Sequence, residues 1–170
     1  MLDMETLVET YGKAIYGLCR KLTQNPHDAD DLYQQTFLTA TEKTFREAEN
    51  PKALLTKICL SHYKNQQRKF ARRLRIAPAS DVETEHISAP VNLEQDFAKK
   101  EQYAALRQAV ANLEERLRIP TLLYYAMELP LKEIAKLLSI PEGTVKSRLS
   151  AARKTIKEEL EVNGFDGQTI

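Results

Sequence analysis

The sequence contains no tryptophan and only five glycines in 170 residues, and two of those glycines lie within the last seven positions. Glycine supplies the tight turns of β-hairpins, so the body of the chain is poor in the residue that a β-rich fold requires. Long stretches are instead rich in alanine, leucine, glutamate, lysine, glutamine and arginine, which favour helix. Since 42% of the residues are hydrophobic, a core can form, and we predict an all-α protein.

Cysteine is almost as scarce, with only Cys19 and Cys59 in the chain. Two cysteines among apolar neighbours do not make the disulfide framework of a small exported domain. No N-terminal stretch resembles the apolar segment of a signal peptide, and no apolar run reaches membrane-spanning length. We therefore expect a cytoplasmic protein without membrane insertion.

The formal net charge is only +1, which by itself gives no indication of a nucleic-acid partner. The distribution of charge does give one. Residues 57–75 contain seven cations and no acid, and residues 144–157 contain five cations and no acid. Local patches govern contact with phosphate more than net charge does, so the sequence predicts two separate phosphate-contacting surfaces.

The hydrophobic period predicts two small helical domains. Helices are expected over residues 4–23, 28–45 and 51–74, with Asn50 as the N-cap of the third and Pro51 in its first turn. Residues 76–92 have no apolar period and are predicted to be a flexible linker. The predicted organisation is a first domain at 1–75, this linker, a second domain at 93–162 and a tail at 163–170. A helix break is expected near Ile119–Pro120.

The second domain contains a predicted helix-turn-helix. Residues 131–138 form its short first helix, with Ile134, Leu137 and Leu138 facing inward. Residues 139–141 form the turn, with Ile140 as a buried anchor, and Pro141 can begin the second helix. That helix has a predicted core stripe, and the residues left outside are candidates for bonding to base edges and phosphates in the major groove. The stripe comprises Val145, Leu149, Ala152, Ile156 and Leu160, and the outside residues are Thr144, Lys146, Ser147, Arg148, Ser150, Arg153 and Lys154.

Three pieces of the second domain resemble region four of extracytoplasmic-function (ECF) sigma factors. They are residues 113–118 (LEERLR), 133–135 (EIA) and 143–149 (GTVKSRL). In that family this domain reads the minus-thirty-five promoter element, so the resemblance implies that the seven outside residues contact minus-thirty-five DNA. Ala151 stands where many members have arginine, and its presence predicts weak DNA affinity in the absence of polymerase.

Residues 29–37 (ADDLYQQTF) resemble the region-two motif of the same family. There an acidic residue and a glutamine one turn apart dock on the β′ clamp helices of core RNA polymerase. Asp31 and Gln34 are three apart and share a helix face. The resemblance implies polymerase binding by Asp31, Leu32, Gln34 and Gln35.

The segment that follows matches, in order, the family's segment for opening and reading the minus-ten element. A protein that opens a promoter needs cations along the strand and a surface for an unstacked base. The resemblance implies that minus-ten DNA is contacted by Phe45, Arg46, Asn50, Lys57, Ser61, His62, Lys64, Asn65 and Arg68. The alternative for the acid-free basic stretch at residues 57–75 is an ordinary solvated helix face, although such a face normally carries charges of both signs.

Other chemistries have little support. Cys59 and His62 lie three apart, but a structural zinc site needs four ligands and no second pair occurs, so no metal or cofactor is expected. No phosphate-binding loop or nucleophile pattern suggests an enzyme. The family implies core RNA polymerase and promoter DNA as partners, and an anti-sigma factor as a further one. A stand-alone helix-turn-helix regulator and a protein-binding helical adaptor remain as alternatives.

Overall fold

A computed structural model describes residues 3–42, 50–76 and 97–165, and all regular structure within those ranges is helical. The helices are α1 (Met4–Thr23), α2 (Pro26–Glu42), α3 (Pro51–Ile76), α4 (Phe97–Asn112), α5 (Glu115–Thr121), α6 (Leu131–Leu138) and α7 (Glu142–Val162). A π-helical turn spans Leu122–Ala126. The chain divides into two units, Met1–Ile87 and Ser88–Ile170. The predicted all-α fold class is confirmed.

In the N-terminal unit each of α1, α2 and α3 packs against the other two. Helix α1 buries Leu7, Ile15 and Leu18 in the core and leaves Val8 exposed. Both ends of the α1–α2 connection are capped. Gln24 takes a left-handed φ of 57° at the end of α1, and Asn25 Oδ1 accepts the backbone N–H of His27 at 2.9 Å. With Asn25 as the cap, α2 begins at Pro26, two residues earlier than predicted.

Helix α3 is the longest in the described chain, at 26 residues. Asn50 Oδ1 accepts the backbone N–H of Ala53 at 3.0 Å, which confirms the predicted N-cap. The buried face of α3 lies in its first half, and every residue from Arg68 to Ile76 is exposed. The helix reaches Ile76, the first residue of the predicted linker. The rest of that linker, residues 77–92, lies outside the described residues.

The C-terminal unit is built on α7, which contacts α4, α5 and α6. The five residues of the predicted α7 stripe are all buried, so that prediction is confirmed. Ala152, Ile156 and Leu160 form a core with residues of α4 and α5 and with Leu113 between them. Phe165, in the predicted tail, packs partly against that core, and its backbone N–H bonds to Leu160 O at 2.9 Å.

The break predicted at Ile119–Pro120 was wrong. Pro120 lies inside α5 and is buried, and the break falls between α4 and α5 at Leu113–Glu114. Proline removes one backbone donor, but here the segment also buries its neighbours Ile119 and Thr121. The Thr121 hydroxyl donates to Leu117 O at 2.7 Å, which helps to hold the turn that contains the proline.

The helix-turn-helix has the predicted order of helix, turn and helix. Its turn differs from the prediction in the burial of Ile140 and in the position of Pro141. Ser139 takes a left-handed φ of 53° as the C-cap of α6, and the Ile140 N–H bonds to Ala135 O at 3.1 Å. Ile140 is only half-buried, as are Leu137 and Leu138. The residue that anchors α6 in the core is Ile134, which is buried. Pro141 is the N-cap, and α7 begins at Glu142.

Candidate polymerase and nucleic-acid interfaces

The predicted polymerase-binding residues lie on α2, but they divide between two faces. Asp31, Gln34 and Gln35 are exposed. Leu32 is completely buried, because it shares the inward face of α2 with Ala29 and Thr36. Its side chain therefore supports the helix and does not reach a partner, which corrects the inclusion of Leu32 among the contact residues.

A groove between α1 and α2 lies beside this exposed face and includes Gln34 in its lining. On its floor the Tyr33 ring packs edge-on against Tyr16, with centroids 5.5 Å apart. A Cβ at Gly12 would lie 2.9 Å from the Tyr33 hydroxyl, so glycine permits this approach of the two helices. The Tyr16 hydroxyl donates to Asp30 Oδ1 at 2.9 Å, and burial raises the pKa of Tyr33. Asp30 is thus engaged within the unit.

The outer face of α3 carries the first basic surface. The helix contains no acidic residue, and all seven cations of residues 57–75 are exposed. Ser61 and Asn65 are exposed beside them. Arg68 and Asn65 also line a groove between α2 and α3, together with Gln35, His62, Gln66, Lys69 and Arg72. This arrangement concentrates positive charge and amide groups where a phosphate backbone could lie.

Two residues of the predicted minus-ten set have structural roles in the fold. His62 Nε2 lies 2.7 Å from Thr39 Oγ1, so the half-buried imidazole ties α3 to α2. Asn50 uses its side-chain oxygen to cap α3. Phe45 and Arg46 lie outside the described residues. The members of this set that present exposed side chains are Lys57, Ser61, Lys64, Asn65 and Arg68.

The second basic surface is the first half of α7. Lys146, Ser147, Ser150, Arg153 and Lys154 are exposed, whereas Thr144 and Arg148 are half-buried. The Ser147 hydroxyl donates to Thr144 O at 3.0 Å. Cations and hydroxyls therefore alternate along one helix face, a combination that suits phosphate contacts and hydrogen bonds to base edges.

One contact to this surface was not predicted. Arg153 Nη1 donates a hydrogen bond to the Tyr125 hydroxyl at 3.1 Å. The two residues are 28 positions apart, and Tyr125 belongs to the π-helical turn. No periodicity or motif in the sequence pairs these two side chains.

Cys19 and Cys59 meet in the core of the N-terminal unit, where their Sγ atoms are 3.7 Å apart. The hydrogen bond to Cys59, together with burial, raises the pKa of the Cys19 thiol. In the described ranges, no cluster of three or more histidine, cysteine, aspartate or glutamate side chains could hold a metal ion. None of the described helices is long and apolar enough to cross a bilayer.

Comparison with known proteins assigns both units. The family model for Sigma-70 region 2 matches residues 7–74, and that for Sigma-70, region 4 matches residues 103–156. The ECF RNA polymerase sigma factor SigW of Bacillus subtilis (strain 168) is 25% identical over 162 residues, which cover 91% of this chain and 87% of SigW. The chain is an ECF sigma factor.

Two further comparisons agree with this assignment. RNA polymerase sigma factor HrpL of Pseudomonas syringae pv. syringae is 29% identical over 150 residues, covering 84% of this chain and 78% of HrpL. A crystal structure of the sigma factor RpoE in complex with the anti-sigma factor NepR, from Bartonella quintana, has the same fold. It matches with a TM-score of 0.76 at 24% identity, over 94% of this chain and 97% of that one.

As a sigma factor, the protein binds core RNA polymerase and directs promoter-specific transcription initiation. The region-two match contains α2 and α3 almost completely, and the region-four match contains α6 and α7 as far as Ile156. The charge pattern and motifs of the sequence predicted the two basic surfaces, on α3 and on α7. They missed the contacts that hold the surfaces in place, namely Tyr33 against Gly12, Thr39 with His62 and Tyr125 with Arg153.

Proposed function

We propose that this sigma factor divides promoter recognition among three surfaces. The exposed face of α2 docks on the β′ clamp helices, the outer face of α3 holds the opened minus-ten strand, and the first half of α7 reads minus-thirty-five duplex. The observation that carries the proposal is the exposed, acid-free face of α3, because a helix that only needed to be soluble would mix both signs of charge. The protein would act in the cytoplasm, with polymerase, and perform no catalytic step itself.

For docking on polymerase, the proposed contacts are Asp31, Gln34 and Gln35, all exposed on α2. Asp31→Ala should weaken binding to core polymerase. Asp28→Ala is the matched control, since Asp28 is an exposed acid on the same helix outside the proposed contact. The measurement is the equilibrium affinity for fluorescently labelled core enzyme. Equal affinities for the two variants would remove Asp31 from the docking surface.

For the minus-ten strand, the proposed contacts are Lys57, Ser61, Lys64, Asn65 and Arg68. These side chains are all exposed on α3, and they combine backbone-neutralising cations with hydrogen-bonding groups. Phe45 and Arg46 are proposed to complete the surface as the pocket for an unstacked base. Asn50 and His62 contribute through the cap and the Thr39 tie described above.

For the minus-thirty-five element, the proposed contacts are Thr144, Lys146, Ser147, Arg148, Ser150, Arg153 and Lys154. Lys146→Ala should reduce promoter-dependent transcription, whereas Lys157→Ala removes the same charge further along α7 and should not. Tethering both DNA-reading units to one polymerase raises their effective concentration, which offsets modest contacts from each.

An anti-sigma factor is a further proposed partner. The RpoE structure that shares this fold was determined with the anti-sigma factor NepR, which motivates the proposal. Affinity capture of this protein from its host, with and without excess core polymerase, tests it. A helical partner that polymerase displaces is the expected result, and recovery of polymerase alone in both samples would contradict it.

The central experiment supplies the purified protein to core polymerase of its host on fragmented genomic DNA and sequences the 5′ ends of the RNA. Start sites that share two upstream sequence elements are expected. The absence of any start site dependent on this protein would overturn the proposed division of recognition. The same experiment provides the promoter needed to test each surface separately.

A further inference from the structure

The hydrogen bond between Arg153 and Tyr125 joins the DNA-reading helix to a segment outside the helix-turn-helix. Arg153 lies on α7, and its guanidinium donates to the Tyr125 hydroxyl at 3.1 Å. Both side chains are exposed, so the contact lies at the surface that α7 presents to solvent. Tyr125 is on the π-helical turn that precedes α6.

The geometry of that turn fixes the position of Tyr125. The Met127 N–H bonds to Leu122 O at 3.0 Å, five residues back, so the turn accommodates one residue more than an α-helical turn. Leu122 and Leu123 are buried and anchor the turn, while Tyr124 and Tyr125 are exposed. The two tyrosine rings pack edge-to-face with centroids 4.9 Å apart. Single π-helical turns occur frequently at functional sites.

The chemistry of the pair favours a positioning role. An arginine carries five N–H donors in a rigid fork, so one bond to a hydroxyl leaves the others for phosphate oxygens. A long side chain loses rotamer freedom when it binds a backbone phosphate, and an existing restraint reduces that loss. A hydroxyl imposes this restraint and leaves the positive charge of the guanidinium in place, whereas a carboxylate would neutralise it.

We propose that Tyr125 is a positioning residue for promoter recognition, which holds the Arg153 guanidinium in the orientation that contacts the phosphate backbone of minus-thirty-five DNA. This inference rests on the role of α7 given under Proposed function. Tyr125 extends the DNA-reading apparatus beyond the two helices of the helix-turn-helix, through a contact that the sequence motifs do not contain.

The test compares two neighbouring tyrosines. Tyr125→Phe removes only the hydroxyl that Arg153 uses, and Tyr124→Phe removes the adjacent hydroxyl as a matched control. Full-length protein with core polymerase is titrated against a promoter duplex, taken from the strongest start site mapped above, over a range of salt concentrations. Tyr125→Phe should weaken binding by about two- to twelvefold, the range for the loss of one hydrogen bond. Its salt dependence should be unchanged, because Arg153 keeps its charge.

A double-mutant cycle separates positioning from direct contact. Arg153→Ala should lower the slope of log affinity against log salt by about 0.9, as expected for one lost phosphate contact. In the Arg153→Ala background, Tyr125→Phe should have no further effect. If the two losses multiply, Tyr125 acts independently of Arg153 and the proposal is overturned. Equal weakening by Tyr124→Phe would overturn it as well.

The failures of the inference and of the proposed function are distinguishable. If Arg153→Ala weakens binding and Tyr125→Phe does not, the positioning role is wrong while α7 remains the DNA-reading helix. If Arg153→Ala leaves affinity and salt dependence unchanged, both the inference and the assignment of Arg153 to minus-thirty-five DNA are overturned.

Discussion

The two candidate DNA surfaces of this sigma factor carry charge in different ways. Helix α3 has eight cations and no acid over 26 residues. Its cations continue into the second half of the helix, from Arg68 to Arg75, where every residue is exposed. Helix α7 has five cations and four acids over 21 residues, with hydroxyls between the cations in its first half. A surface of the first kind attracts a phosphate backbone whatever its sequence, whereas one of the second kind can also discriminate bases.

The difference extends to how each surface is supported. The α3 surface is the far side of a helix whose near side packs on α1 and α2. The α7 surface depends on short elements, namely α6, a left-handed Ser139 and a π-helical turn that contacts Arg153. The comparison therefore predicts that the N-terminal surface responds mainly to charge and that the C-terminal surface responds to geometry. Four experiments test this difference between the two surfaces and the units that carry them.

The largest effect is expected from Leu32→Ala. Leu32 is completely buried, so its truncation should cost about 2–5 kcal/mol of unfolding free energy and reduce polymerase binding through loss of the fold. Leu38→Ala, at an exposed leucine of the same helix, is the control and should change little. Urea unfolding followed by circular dichroism measures both. If Leu32→Ala impaired polymerase binding without loss of stability, Leu32 would be a contact residue after all.

The second effect concerns charge on α3. Lys64→Ala combined with Arg68→Ala should lower the salt slope for binding of a minus-ten single strand by about 1.4, at about 0.7 for each phosphate contact. Lys132→Ala combined with Lys157→Ala removes two exposed cations elsewhere and serves as the control. The readout is anisotropy of the labelled strand with holoenzyme. Identical slopes for the two double variants would contradict the proposed role of α3, because α3 would then be an ordinary solvated face.

The third prediction is that the two units differ in their stability at alkaline pH. The raised pKa of Cys19 means that the folded state holds this proton more tightly than the unfolded chain, whose thiol has the ordinary value of 9.0. The resulting stabilisation is present below pH 9.0 and is lost as pH rises above it, by about 1.4 kcal/mol per pH unit for one thiol. Hydrogen exchange should show earlier opening of α1–α3 than of α4–α7 in alkali.

Cys19→Ala is the control for that experiment, because it removes the titrating thiol and should reduce the alkaline loss in the N-terminal unit to the part that Tyr33, whose pKa is also raised, contributes at higher pH. An equal alkaline loss in the variant would assign the effect to other groups. The C-terminal unit contains neither cysteine and provides an internal reference.

The smallest effect concerns the turn of the helix-turn-helix. Ser139 has a φ of 53°, a conformation that glycine adopts without the steric cost of a Cβ. Relief of this steric cost, about 1–2 kcal/mol, outweighs the greater unfolded-state entropy of glycine, so Ser139→Gly should raise the stability of the C-terminal unit by about 0.5–1 kcal/mol. Ser139→Ala keeps the Cβ and should give no gain. Thermal unfolding distinguishes them, and equal midpoints for both variants would show that the left-handed turn carries no strain.

Much of the helical layout was predictable because it depends on local patterns. The bounds of α1 and α6 and the Asn50 cap follow from hydrophobic period and capping chemistry, which short stretches of sequence determine. The errors occurred where tertiary burial outweighed a local preference. Pro120 stays within a helix because its segment is buried, and Leu32 faces the core although Asp31, Gln34 and Gln35 of the same motif are exposed.

The helical class, the two acid-free basic stretches and the motifs that place them in sigma region two and region four follow from the amino-acid sequence alone. Those properties reside in composition and in spacings of a few residues. Which motif residues are available to a partner depends on the tertiary structure. It brought Cys19 to Cys59 and Arg153 to Tyr125, across 40 and 28 positions respectively. Such pairs depend on the packing of whole helices, which no local pattern in the chain specifies.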